Sequence, residues 1–135
     1  MTGSERDRLL AAARVAMARA WAPYSGFRVG AAVRGASGAV YAGCNVENAS
    51  YPVSLCAERG AIAAAILAGE TTIDAVLIVS GASDPCPPCG MCRQALAEFG
   101  PAMEVVLAGS GDKVRECTLA DLLPDAFGPR FLEKP

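Results

Sequence analysis

Residues Ala75 to Ser80 read Ala-Val-Leu-Ile-Val-Ser, a continuous apolar run with no polar alternation. A strand with one wet face alternates, so a run of this kind marks a strand covered on both faces. Such a strand needs layers above and below it, and the flanking sequence supplies them. Ser4 to Ala20 places Leu9, Leu10, Ala13, Val15, Ala16 and Met17 between arginines at helical spacing, with Ser4 as its N-cap. Leu55 to Ala68 reads as a second helix closed by Gly69, and Met91 to Phe99 as a third, stopped by Gly100-Pro101. Phe27 to Arg34 and Val40 to Asn45, joined by the turn Gly35 to Gly38, read as an antiparallel hairpin. Asn48 to Pro52 and the Pro- and Cys-rich Gly81 to Gly90 are loops. Glu104 to Ala108 and Val114 to Thr118 complete five strands, followed by a helical turn at Leu119 to Leu122. The expectation is an α/β protein: a three-layer α/β/α sandwich around a mixed five-stranded sheet, with residues 1–135 forming one domain.

Composition narrows the function classes. The chain is 53% hydrophobic and 19% charged, which excludes a disordered protein. An apolar share this high in 135 residues points to surface hidden in an oligomer. The formal net charge of −2 comes without a basic stripe. Arg6, Arg8, Arg14 and Arg19 read as the polar face of the first helix, so a small or neutral ligand fits better than a nucleic acid polymer. The longest apolar stretch, Ala61 to Ala68, is too short for a membrane span, and the N-terminus has no signal-peptide pattern. A cytoplasmic location is therefore expected. In that reducing compartment, six cysteines point to metal or catalysis before disulfides.

Two segments carry the chemistry: Cys56-Ala57-Glu58-Arg59 and Pro88-Cys89-Gly90-Met91-Cys92-Arg93-Gln94, each where a helix begins. A catalytic zinc takes three protein ligands and keeps one position open. The chain has no histidine, so a three-thiolate site of Cys56, Cys89 and Cys92 is the natural reading. Helix N-termini favour thiolates through their free N–H groups and partial positive charge. Three thiolates on one divalent zinc leave a net negative charge, which Arg59 is placed to offset by bonding the sulfurs. Glu58, two residues beyond Cys56, can reach water at the metal without being a ligand.

These two segments, in this order, resemble the zinc-dependent cytidine deaminases of the small homotetrameric type. The resemblance extends to Tyr24-Ser-Gly-Phe27 with Val29-Gly-Ala-Ala, to Gly43-Cys-Asn45-Val-Glu47-Asn-Ala-Ser-Tyr51, and to Leu122-Leu-Pro-Asp-Ala-Phe127-Gly. It implies one zinc per chain and hydrolysis of the 4-amino group of cytidine and 2'-deoxycytidine in pyrimidine salvage. Zinc deaminases as a class use a Glu that is not a ligand as general acid–base, which implies that role for Glu58. The resemblance also implies that Asn45 and Glu47 bond the ribose hydroxyls, that Phe27 packs against the nucleoside, and that the Ala57 N–H meets the base carbonyl. Tyr51 and Phe127 match residues that complete a neighbouring subunit's pocket, so the resemblance implies a homotetramer. Arg28 stands where the family pattern usually has Pro, from which altered loop stiffness is expected and unaltered chemistry.

Plainer readings exist. Cys86-Pro-Pro-Cys89 adds a second Cys-x-x-Cys and with it a closed four-thiolate structural site, against which stand the stiff proline pair and a match confined to Cys89 and Cys92. Glu58 could be a first-turn Glu favoured by the helix dipole and Arg59 a surface arginine. Asn45 and Glu47 could be turn residues, and Phe27, Tyr51 and Phe127 packing aromatics. Cys44 and Cys117 read as buried small hydrophobes. Competing functions are deamination of a cytosine-bearing antibiotic, as in blasticidin S deaminases, and a non-catalytic zinc module that binds a protein partner. The Asn45 and Glu47 pair argues against the first. Glu58 and the want of a convincing fourth ligand argue against the second.

Overall fold

The apolar run lies at the centre of the sheet. The computed structural model describes residues 1–132. In chain order the elements are α1 (Gly3–Ala18), β1 (Val29–Gly35), β2 (Val40–Cys44), α2 (Ala57–Leu67), β3 (Ile73–Ser80), α3 (Gly90–Ala97), β4 (Glu104–Ala108), β5 (Val114–Thr118) and α4 (Leu119–Leu122), with 3-10 turns at Tyr51–Val53 and Pro129–Leu132. The five strands are ordered β2-β1-β3-β4-β5. Only β3 and β4 are parallel, joined by the α3 crossover; the other three pairs are antiparallel, so the sheet is mixed.

Successive side chains of β3 point to opposite faces, and each face has its own cover. Ala75, Leu77 and Val79 join Ala32, Val106 and Ala108 beneath Leu9 and Ala13 of α1. Val76 and Ile78 join Ala31, Val33, Val105 and Leu107 beneath Ala57, Ala61 and Ala65 of α2, Leu96 of α3 and Leu119 of α4. Each fully buried Leu or Val removes apolar surface worth about 1.5–3 kcal/mol. The result is three layers, as the sequence pattern requires.

The buried face of α2 is alanine at every fourth residue, which lets its backbone lie close to the sheet. At Gly43 in β2 the approach is closer than any side chain allows. A Cβ there would lie 2.4 Å from the Ala61 nitrogen, 2.6 Å from the Ala57 oxygen and 2.7 Å from the Gly60 carbonyl carbon.

Several boundaries differ from the sequence reading, each for a local reason. The N-cap of α1 is Thr2, not Ser4: the Thr2 hydroxyl accepts the Glu5 N–H while the Glu5 carboxylate accepts the Thr2 N–H, a reciprocal capping box. Ser4 thus lies inside the first turn, and α1 ends at Ala18. Phe27 and Arg28 precede β1, because the Asn45 side chain bonds the backbone of Phe27 and Val29 there. The Arg28 Nη1 donates to the Ala18 oxygen at 2.9 Å, a tie to the end of α1 that a proline could not make. Cys44 and Cys117 are half-buried, not buried, since both lie on the outer strands β2 and β5.

Candidate active site

Strand direction brings the two cysteine segments together. β2 and β3 are both antiparallel to β1, so their C-terminal ends share one edge of the sheet, where β1 begins. From that edge the chain runs through residues 45–56 into α2 and through residues 81–89 into α3, and both helices lie on the same face. Their N-termini therefore open side by side. Cys56 and Cys89 are the N-cap residues of α2 and α3, one residue before the starts of the helices. Cys92 follows Cys89 within the first turn of α3 and is fully buried.

The sulfurs of Cys56, Cys89 and Cys92 all lie within 4.8 Å of one another. Three sulfurs on a tetrahedral zinc, each ~2.3 Å from the ion, stand roughly 3.8 Å apart, so the cluster fits one such ion with little adjustment. Charge points the same way. Burial resists ionisation of Cys89, yet the N–H groups of Cys92 and Met91 and the neighbouring thiols outweigh it and lower its pKa. Burial, and then the Glu58 carboxylate, push the Cys92 thiol up, an opposition to its charged form that a bound cation would relieve. The Arg59 guanidinium is raised above its ordinary range, first by the Cys56 sulfur, with burial opposing and Cys92 adding to it. Arg59 Nη2 donates to the Ser54 oxygen at 3.2 Å, while its buried Nε has no hydrogen-bond partner. A buried donor left over beside thiols suits a cluster that carries surplus negative charge. Cys86, the proposed fourth ligand of a closed site, is outside the cluster.

Of the three cysteines, Cys92 is buried, while Cys56 and Cys89 line a cavity of about 520 Å³. Glu58 lies in its wall with only 5% of its surface exposed, a buried carboxylate next to the cluster. Ala57 is fully buried beside it, and as the first residue of α2 its N–H has no acceptor within the helix. Phe27, Asn45 and Glu47, from the loops before β1 and after β2, also line the cavity. A short Trp21–Val46 bridge binds those loops together, and a Val46–Leu55 bridge closes the second loop on itself.

Asn45 and Glu47 have structural partners as well. Asn45 Oδ1 accepts the Val29 N–H and Nδ2 donates to the Phe27 oxygen, both at 2.8 Å. Glu47 Oε1 accepts the Tyr24 and Ser25 N–H groups at 2.9 and 3.1 Å, and Oε2 accepts the Ser25 hydroxyl. Its carboxyl is held below the usual carboxylate range, first by that hydroxyl and then by the Ser25 N–H. Tyr51 lines the cavity of its own chain, edge-on to Tyr24 with ring centroids 5.9 Å apart. Phe127 is not among the lining residues; it is exposed and stacked on Phe131, and its carbonyl oxygen accepts from Gln94 Nε2. Sequence reasoning passed over Ser25 and Ser80. Ser80, buried at the end of the apolar run, lines the cavity, and a polar residue closing such a run was the available signal.

The family model for the cytidine and deoxycytidylate deaminase zinc-binding region matches residues 4–108. The chain is 41% identical over 127 residues to a cytidine deaminase of Sporosarcina psychrophila, covering 93% of each chain. It is 43% identical over 125 residues to that of Halalkalibacterium halodurans, covering 91% of this chain and 94% of the relative. The crystal structure of cytidine deaminase from Burkholderia pseudomallei superposes with a TM-score of 0.87 at 46% identity, over 94% of this chain and all of that one. With the cysteine cluster at its sheet edge, this chain belongs to the zinc-binding cytidine and deoxycytidylate deaminase family.

Proposed function

We propose that residues 1–135 form one deaminase domain that hydrolyses cytidine and 2'-deoxycytidine to the uridine nucleosides and ammonia. It would act in the cytoplasm, in pyrimidine salvage, as a homotetramer with one zinc per chain. The observation that carries this reading is the three-sulfur cluster beside the buried Glu58 carboxylate, with Cys56, Cys89 and Glu58 lining one cavity. The relatives named above are cytidine deaminases, which supports the choice of substrate. Among the described residues, no helix is long and apolar enough to cross a membrane.

Cys56, Cys89 and Cys92 would hold the zinc. Bound there, zinc would supply a Lewis acid that lowers the pKa of water toward ~7. Glu58 accepts the proton of the attacking water and delivers it to N3 of the base, then passes a proton to the departing amine. Its burial keeps bulk water from competing for that proton. The free Ala57 N–H donates to the base carbonyl, Phe27 packs against the nucleoside, and Asn45 and Glu47 bond the ribose hydroxyls. Arg59 offsets the charge of the sulfurs. The test is the change in ultraviolet absorbance when purified protein meets cytidine, with metal content measured on the same sample; zinc-loaded protein that leaves cytidine unchanged would refute the reading.

Glu47→Ala should erase much of the advantage of cytidine over free cytosine, because only the nucleoside offers hydroxyls to that carboxylate. An unchanged ratio of kcat/KM values for the two would show that Glu47 does not read the sugar.

Assembly has its own support. Trp21, Leu67, Met91 and Phe127 are large apolar side chains left exposed on the isolated chain. Phe127, absent from its own chain's cavity wall, is free to close another's, and the exposed Tyr51 ring stands at a rim that a neighbour can share. Phe127→Ala should then weaken substrate binding while zinc is retained. Mixed with Glu58→Gln chains it should regain activity, since hybrids unite an intact Glu58 with a neighbour's intact Phe127. A fully active monomer in sedimentation, or exchanged mixtures no better than their parts, would overturn the assembly.

A further inference from the structure

The loop before β1 lines the cavity with Tyr24, Ser25 and Phe27, and the Ser25 hydroxyl ties it to Glu47. Ser25 Oγ donates to Glu47 Oε2 and accepts the Phe27 N–H at 3.0 Å. A serine hydroxyl has one proton to give and lone pairs to receive, so it makes both bonds at once. The turn between Ser25 and Phe27 depends on Gly26, whose φ of 70° lies in the left-handed region, and the Gly26 N–H is fixed to the Ala22 oxygen at 2.9 Å. Phe27 cannot shift without straining this turn or breaking its bond to Ser25.

The same hydroxyl restricts Glu47. A carboxylate offers about four lone-pair positions. Two on Oε1 are taken by the Tyr24 and Ser25 N–H groups and one on Oε2 by the Ser25 hydroxyl. About one acceptor position is left for a ligand, on the oxygen that Ser25 holds. We propose that Ser25 is a positioning residue for nucleoside recognition: its hydroxyl orients the Glu47 carboxylate so that one acceptor position remains for a sugar hydroxyl, and fixes the distance from that position to the Phe27 ring. This rests on the reading of Glu47 and Phe27 as substrate-binding residues. Ser25 acts through them and touches no reacting atom. Ser25 is also the first cause of the lowered Glu47 pKa, which favours the ionised, acceptor-only form.

The test compares wild type, Ser25→Ala, Ser25→Thr and Glu47→Ala, each as zinc-loaded protein, with cytidine and with free cytosine. Ser25→Ala removes a donor to a charged group, and the KM for cytidine should rise about tenfold while kcat stays within about threefold. The kcat/KM for cytosine, which has no sugar, should hardly move. Ser25→Thr keeps the hydroxyl in an exposed loop and should restore most of the KM. In a Glu47→Ala background, Ser25→Ala should add little, because the two act as one unit. If Glu47→Ala lowers the preference for cytidine and Ser25→Ala does not, the Ser25 proposal fails alone. If Glu47→Ala also leaves the preference unchanged, the underlying reading fails with it. Equal losses for cytidine and cytosine in Ser25→Ala, or a Thr variant as impaired as Ala, would reduce Ser25 to a structural loop residue and overturn the proposal.

Discussion

Glu58→Gln should fold, bind zinc and lose turnover by a hundredfold or more. The amide is nearly the same size as the carboxylate and fits the same buried wall, so the exchange isolates proton transfer from packing. Hydrolysis at C4 needs a proton taken from water, delivered to N3 and later passed to the amine, and a Gln can perform none of these steps. The KM should change far less than kcat, since the sugar and ring contacts come from other residues. Steady-state kinetics with zinc content and a melting curve on the same preparation make the check. Near wild-type kcat with full zinc would remove Glu58 from the mechanism.

The second large effect is on the metal. Cys89→Ala or Cys92→Ala should bring zinc well below one per chain and activity to background. Cys44→Ala, Cys86→Ala and Cys117→Ala should keep their zinc, because those sulfurs lie outside the cluster. The three ligands come from the starts of two helices that are far apart in sequence, so the ion would also hold α2 and α3 together. Ligand variants should therefore melt earlier than wild type, and zinc should raise the melting temperature of wild type but not of the ligand variants. Full zinc occupancy in Cys89→Ala would sink the assignment.

The sequence carried the parts of this protein that depend on residue type and local period. The run at Ala75 to Ser80 could only be a strand covered on both faces, and the structure buries all of it. The absence of histidine left thiolates to do the work of a metal site, and Cys56, Cys89 and Cys92 meet. Less legible was anything that depends on which side chain a backbone group chooses. Thr2 and Ser4 are both good caps; Thr2 prevails because Glu5 stands three residues beyond it to complete the box. Phe27 has the look of a strand residue, yet an Asn45 amide eighteen positions away takes its carbonyl oxygen. The bond that ties Ser25 to Glu47 joins two loops across the sheet edge, and no local pattern announces it. Where Phe127 acts depends on other copies of the chain, which a single sequence does not describe.

The contact at Gly43 bears on how this protein tolerates change. Its Cα faces the first turn of α2, the same turn that presents the Ala57 N–H, the Glu58 carboxylate and Arg59. The atoms that a methyl group would strike are backbone, with no flexible side-chain end to swing aside, so the helix itself would have to move. A displacement of about 1 Å in catalytic groups can cost a hundredfold in rate. In a survey of all single substitutions scored by activity, position 43 should stand out as intolerant beside Glu58, although it lies outside the cavity wall and carries no side chain. A designer who fills glycines with alanine to stabilise the hairpin would meet the penalty here, in turnover.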